Sequence, residues 1–282
     1  MIPIELKFPD GKSKHFLVPQ SFEELTEDQY LKCITILKRA ETYPSDQWLL
    51  LMVLIRISQE DLKLLNGVQR IELLSTMGFL YDLDKLPSKQ MIKKLHGKDR
   101  SKVIALYGPG DLLKHFTFGE FLAAETRLDR YYQIHDEAQL NQFCGVMYRK
   151  SSPERSEYSD QRTSFEDGLV ESNGRYFSKV DDYTKTALVM NYNGMKRRFP
   201  SLYRNVFPPK MQDEDELEPK PKPKQRTSSS MAWLNTLVSL ADRDVTKIKE
   251  VEKASLHTVL KVLDEMIQHN QQMKEEAIRN RR

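Results

Sequence analysis

A mainly α-helical fold is predicted by three observations. Apolar residues recur with a period near 3.6 over most of the chain. Capping boxes punctuate it, and strand-like alternation is clearest in the first eighteen residues. The expected architecture is a helical body with a small N-terminal β-hairpin and a tethered C-terminal helical module. Four segments follow from composition: 1–110, hairpin plus helical subdomain; 111–207, a second helical subdomain; 208–230, a disordered Pro/charged linker; and 231–282, an amphipathic helical module.

The hairpin is read from residues 2–18. Ile2, Ile4, Leu6 and Phe8 alternate with Glu5 and Lys7, Pro9-Asp10-Gly11-Lys12 is turn chemistry, and His15 to Val18 returns. Thr26-Glu27-Asp28-Gln29 is a capping box that opens a helix ending before Pro44. Asp46 to Ile57 is apolar nearly all round and predicts a central helix. Helices near 59–66 and 68–77 are punctuated by Gly67 and Gly78. Lys102 to Tyr107 has strand character, and Gly108-Pro109-Gly110 marks a subdomain boundary. Thr117 to Glu120 is a second capping box, Asp136 caps the next helix, residues 150–175 read as loop-rich, and Tyr183 to Phe199 is helical.

Residues Pro208 to Ser230 break the pattern. Five of the thirteen prolines, an acidic knot from Asp213 to Glu218 and a Lys-Pro alternation leave no apolar face to bury. In a polyproline-like conformation such a tether reaches up to roughly 70 Å. Beyond it, Met231 to Ala241 predicts a helix led by Trp233, a short segment carries Ile248 and Val251, and Ser255 caps a long final helix. Leu256, Leu260, Leu263 and Ile267 keep 4-3-4 spacing. With Trp233 and Leu237 they form the candidate partner-binding surface. Trp233 reads equally as a partner anchor or as core packed on Leu260 and Leu263.

Composition narrows the function classes. Charges nearly balance, 44 basic against 41 acidic for a net +3, which argues against a dedicated nucleic-acid binder. No apolar run is long enough to span a membrane, and the N-terminus lacks the basic start and apolar core of a signal peptide, so a cytosolic protein is expected. Cys33 and Cys144 occupy apolar helical positions and read as buried free thiols. The phosphate-binding, nucleophile-elbow and zinc-helix motifs are missing, and no cofactor is expected. Glu120, Glu125 and Asp129 share a helix. They are a carboxylate-site alternative, set against the plainer reading of a solvated face paired with Arg127 and Arg130. The six histidines are scattered, and no metal site is expected. Lys89 to Lys102 is the densest basic stretch of the body; it reads as a solvated face, and no aromatic interleaves before Tyr107.

Two stretches resemble proteins of tailed-bacteriophage and prophage tail regions. One is TFGEFLAAETRLDRYYQIHDEAQLNQFCGVMYRK, with VMNYNGMKRRFPSLYRNVF further on. The other, AWLNTLVSLADRDVTKIKEVEKASLHTVLKVLDEMIQ, resembles the C-terminal part of phage tail assembly chaperones. The resemblance implies a non-enzymatic assembly factor in the host cytoplasm that contacts tape-measure or tail-tube subunits. A virion structural or connector protein is the alternative within the same system. Self-association is compatible with either.

Overall fold

The computed structural model describes residues 1–8, 11–99, 102–152, 160–208 and 229–280. The protein is mainly α-helical. In chain order the elements are β1 Ile2–Lys7, β2 Ser13–Val18, α1 Glu27–Ala40, α2 Leu49–Leu54, α3 Gln59–Leu64, α4 Gly67–Ser75, β3 Lys94–Asp99, β4 Lys102–Tyr107, α5 Phe118–Ile134, α6 Glu137–Met147, α7 Val170–Gly174, α8 Asp182–Lys196, α9 Phe199–Leu202, α10 Ser229–Leu240, α11 Val245–Lys253 and α12 Leu256–Arg279. Packing divides them into two compact units, Met1–Lys93 with Val180–Arg197, and Lys94–Lys179 with Arg198–Arg282. The sequence-based segments run along the chain with cuts at 110/111, 207/208 and 230/231. The compact units interleave instead, because α8 returns to the N-terminal residues.

In the first unit, β1 and β2 pair antiparallel with Ile2 opposite Val18 and Lys7 opposite Ser13. Pro9 and Asp10 of the expected turn lie outside the described residues. Val18 and Phe8 are buried, which supplies the packing that an isolated hairpin lacks. The Thr26 capping box forms with both reciprocal bonds. Asp46–Ile57, expected as one helix, is instead a 3-10 turn over Pro44–Trp48 followed by the six-residue α2. Arg56 then turns left-handed at φ 57° and stops it. Gly67 is the first residue of α4 rather than a spacer, and Asn66 and Gln69 close a capping box around it. α8 completes this core. The Tyr30 hydroxyl donates to the Ala187 carbonyl at 2.9 Å, and the Asn191 side chain bonds the backbone of Met91 at 2.9 Å and of Lys89 at 2.8 Å. Tyr30 also meets Phe22 edge-on at 5.8 Å.

In the second unit β3 and β4 form an antiparallel hairpin, Lys94 opposite Tyr107 and Asp99 opposite Lys102. Only β4 was anticipated. The Thr117 capping box and the Asp136 cap both form. α5 is the central helix, with Phe118, Phe121, Ala124 and Leu128 buried. α6 crosses α7 closely: a Cβ on Gly145 would stand 2.6 Å from the Gly174 amide nitrogen, so only glycine fits. Cys33 and Cys144 are buried free thiols, one in each unit.

Candidate functional site

The residues expected to meet a partner all lie in the second unit, and several are already covered. Leu237 is 2% exposed, and Leu256 and Leu260 are fully buried in their own unit. Trp233 is half-buried. Its ring meets Phe121 at 5.2 Å, Phe207 at 5.7 Å and Phe118 at 6.2 Å. Three rings around an indole give the packing expected of an anchor. The 5.7 Å contact also brings together the two flanks of residues 209–228, which lie outside the described residues. The C-terminal helices line the unit that α5 organises.

Several polar contacts hold this docking. The amides of Leu256 and Phe118 donate to the carbonyls of Phe116 and Ala254, each at 2.9 Å, a short antiparallel bridge centred on Thr117 and Ser255. Ser255 occupies the N-cap position of α12, as expected, but its side chain makes no cap bond. Gly119 permits the approach, since a Cβ there would stand 3.2 Å from the Glu252 carbonyl oxygen. Asp129 accepts from the Ser230 amide at 2.8 Å, and Asp264 accepts from the Asn205 amide at 2.7 Å. His257 Nε2 is 2.8 Å from the Leu112 carbonyl and Nδ1 is 2.6 Å from the Tyr203 hydroxyl. A carbonyl can only accept, so Nε2 carries the proton and Nδ1 accepts from the tyrosine. Burial and the Asp264 carboxylate push the Tyr203 hydroxyl up, which keeps it a donor. Leu112 and Leu113 are both left-handed, at φ 54° and 61°. Such backbone costs about 1–3 kcal/mol per residue, and His257 holds it in place.

α12 then leaves this support. Leu263 and Ile267 are half-buried, and every residue from 268 to 280 is exposed. Val262, Met266, Met273 and Ile278 are between 44% and 59% exposed. Val262, Met266 and Met273 fall within about 40° of one another around a helix turning 100° per residue. The free part is about 18 Å of helix, a length that is marginal in water unless something packs on it.

The carboxylate row resolves differently from both sequence readings. Glu120 and Glu125 are buried, at 1% and 3% exposure, not on a solvated face. Asp129 caps α10, and Arg127 pairs with Asp167 at 3.3 Å. Glu120 enters a buried network that sequence reasoning missed. It accepts from the Thr117 amide at 2.9 Å, from Arg149 in a short ion pair and from Arg162 at 3.4 Å. Arg149 also donates to the Thr163 and Val146 carbonyls, both at 2.8 Å. Arg162 donates to Asp160 at 2.7 Å and to the Met147 carbonyl at 3.2 Å. Each nitrogen of both guanidinium groups has an acceptor, and the two cations are balanced by two carboxylates. The arrangement suits a clamp that ties the loops after α6 to the start of α5. Burial pushes the Asp160 carboxyl up, but the Arg162 hydrogen bonds and charge outweigh it and hold the group below its ordinary value. Burial and the Arg162 charge depress Arg149 to about 10, leaving it cationic at neutral pH. The signal in the sequence was the apolar run Phe143 to Tyr148 leading straight into Arg149. A cation ending a buried run needs a buried partner. Beside the clamp opens a cleft of about 1120 Å³, with Leu122, Phe165 and Leu234 on its apolar side and Lys249, Glu252 and Lys253 on its polar side.

Among the described residues, no cluster of His, Cys, Asp and Glu could hold a metal ion, and no helix is long and apolar enough to cross a membrane. No protein-family model matches this chain, and no curated protein or solved structure matches it either.

Proposed function

We propose that the protein is a non-enzymatic assembly factor of a tailed phage, acting in the host cytoplasm and holding a helical tail component, a tape-measure or tube subunit, on its C-terminal helix. The observation that carries this reading is the two-part character of α12. Its first turns are anchored by Leu256 and Leu260, and its remainder presents Val262, Met266 and Met273 to solvent. An anchored base with a free apolar stripe suits helix-on-helix recognition. The likeness of residues 232–268 to tail assembly chaperones supplies the choice of partner. Leu237, Leu256 and Leu260 are covered, so the contact proposed here lies further out, on the exposed residues from Val262 onward, with Leu263 and Ile267 at its edge.

The test is a double substitution, Met266→Asp with Met273→Asp. Both residues are half or more exposed, so the fold should melt unchanged. Loss of tail-subunit pull-down and of particle assembly is expected. Normal assembly with the doubly charged helix would overturn the reading. Mass spectrometry of purified particles decides between an assembly factor, which is left behind, and a structural component, which is present stoichiometrically.

A further inference from the structure

Burial alternates strictly along β3. Lys94, His96 and Lys98 are exposed, while Leu95 and Gly97 are buried. The register sets Lys94 opposite Tyr107, His96 opposite Ala105 and Lys98 opposite Val103. Directly opposed residues of an antiparallel pair share a face, so these six side chains form one outer surface. The inner face is fixed. Leu106 is fully buried, and a Cβ on Gly97 would stand 2.8 Å from Leu106 Cδ1 and 3.1 Å from Tyr176 Cβ. The ribbon therefore cannot roll to hide its cations. Lys102, exposed and opposite Asp99, alternates with Val103 and so stands on the other face of the ribbon. Among the described residues, no ion pair engages Lys94, Lys98 or Lys102. Lys94 Nζ lies 5.7 Å from the centre of the Tyr107 ring. The pairing thus brings an aromatic into the basic face that linear spacing keeps at its far end.

We propose that the outer face of β3–β4 binds the phosphodiester backbone of nucleic acid, with Lys94 and Lys98 as the neutralising cations. Same-face residues of a strand recur about every 6.8 Å, twice the 3.4 Å axial rise per phosphate of one DNA strand. The major groove admits a two-stranded ribbon of this kind. An acidic protein would meet the same charges. The cations, however, lie across the ribbon's face with Val103 and Tyr107 among them, and not along an edge where a peptide strand would add. A near-neutral whole chain does not oppose this, because the patch is local and its lysines are uncompensated.

The experiment titrates a fluorescein-labelled 20-base-pair duplex with the full chain by fluorescence anisotropy over a KCl series. Two neutralised phosphates give a slope of log K against log salt of about −1.8. The double variant Lys94→Gln, Lys98→Gln should melt like the parent, bind at least about tenfold more weakly at low salt and lose most of that slope; Lys98→Gln alone should reduce it by about 0.9. Absence of duplex binding, or a slope unchanged in the double variant, would overturn the proposal. So would polyglutamate displacing the labelled duplex better than unlabelled duplex of equal charge, which would mark the face as a site for acidic protein.

Discussion

Replacing Glu120 by alanine separates a structural clamp from a solvent-facing carboxylate. Glu120 is 1% exposed and hydrogen-bonds both Arg149 and Arg162, whose side chains are 2% and 0% exposed. Its removal leaves Arg162 with Asp160 at 2.7 Å but strips the buried Arg149 of its closest acceptor, leaving it Asp160 only at 3.9 Å. It also opens the Thr117 capping box. Breaking a buried pair by deleting one partner costs about 3–5 kcal/mol, and a lost cap adds about 1. With two compact units a single unfolding free energy is ill-defined, so the assay must report on each unit. The two buried thiols provide this. Cys144 lies in the unit that holds Glu120 and Cys33 in the other. Burial pushes the Cys33 thiol up to about 12, so it reacts only when its surroundings open. At equilibrium opening, a loss of 3–5 kcal/mol raises Cys144 labelling by roughly 140- to 4,000-fold, at one decade per 1.4 kcal/mol. Cys33 labelling should stay within about twofold, since the network lies wholly in the other unit. A rise in Cys144 labelling below about fivefold would refute the clamp, because it would equate the network with a surface ion pair.

Gly194→Ala should loosen the first unit by about 1–3 kcal/mol, because a Cβ there runs into the Pro87 carbonyl and stands 2.9 Å from Leu86 Cβ; faster Cys33 labelling with Cys144 unchanged is the readout. Replacing residues 209–228 with six Gly/Ser residues should keep the fold and stabilise the second unit by about 1 kcal/mol, since the flanking Phe207 and Trp233 already touch and a shorter loop costs less to close; a denaturation midpoint that falls would contradict it. Acid should weaken the second unit through Asp160: its folded pKa lies below the ordinary 3.8, so its contribution is fully present above that value and is lost as pH falls through the folded one. Asp160→Asn should flatten the acid limb of a stability-against-pH curve measured by Cys144 opening.

Local chemistry was legible in the sequence where its partners are near in the chain. Thr26 with Gln29 and Thr117 with Glu120 are three apart, and both capping boxes form. Glu120 was misplaced because its decisive partners are 29 and 42 residues away, beyond any helical period. β3 was missed because KLHGKD holds no β-branched residue and one glycine; its pairing with β4, not its propensity, makes it a strand. Periodicity identified Leu256 and Leu260 as an apolar face. It could not say whether that face meets another molecule or the chain's own α5, since burial leaves the same pattern either way. The exposed stripe of α12 escaped for the converse reason: Met266 lies only about 60° from Leu263 around the helix, within one apolar side of the wheel.

The return of α8 to the N-terminal residues reorders how the protein must be made. Tyr30, Met91 and Lys89 wait for Ala187 and Asn191 before their hydrogen bonds exist. Between Lys93 and Asp182 the ribosome adds nearly ninety residues, a delay of about 4–18 s at 5–20 residues per second. Through that interval the first-made segment has no closing helix, and the apolar side chains that α8 will cover have only one another or a chaperone to meet. The usual sequence, N-terminal domain first, cannot apply. The first residues translated belong to a unit that finishes only when half of the other unit has also been synthesised, and a nascent chain stalled before residue 182 should be protease-sensitive over its N-terminal third.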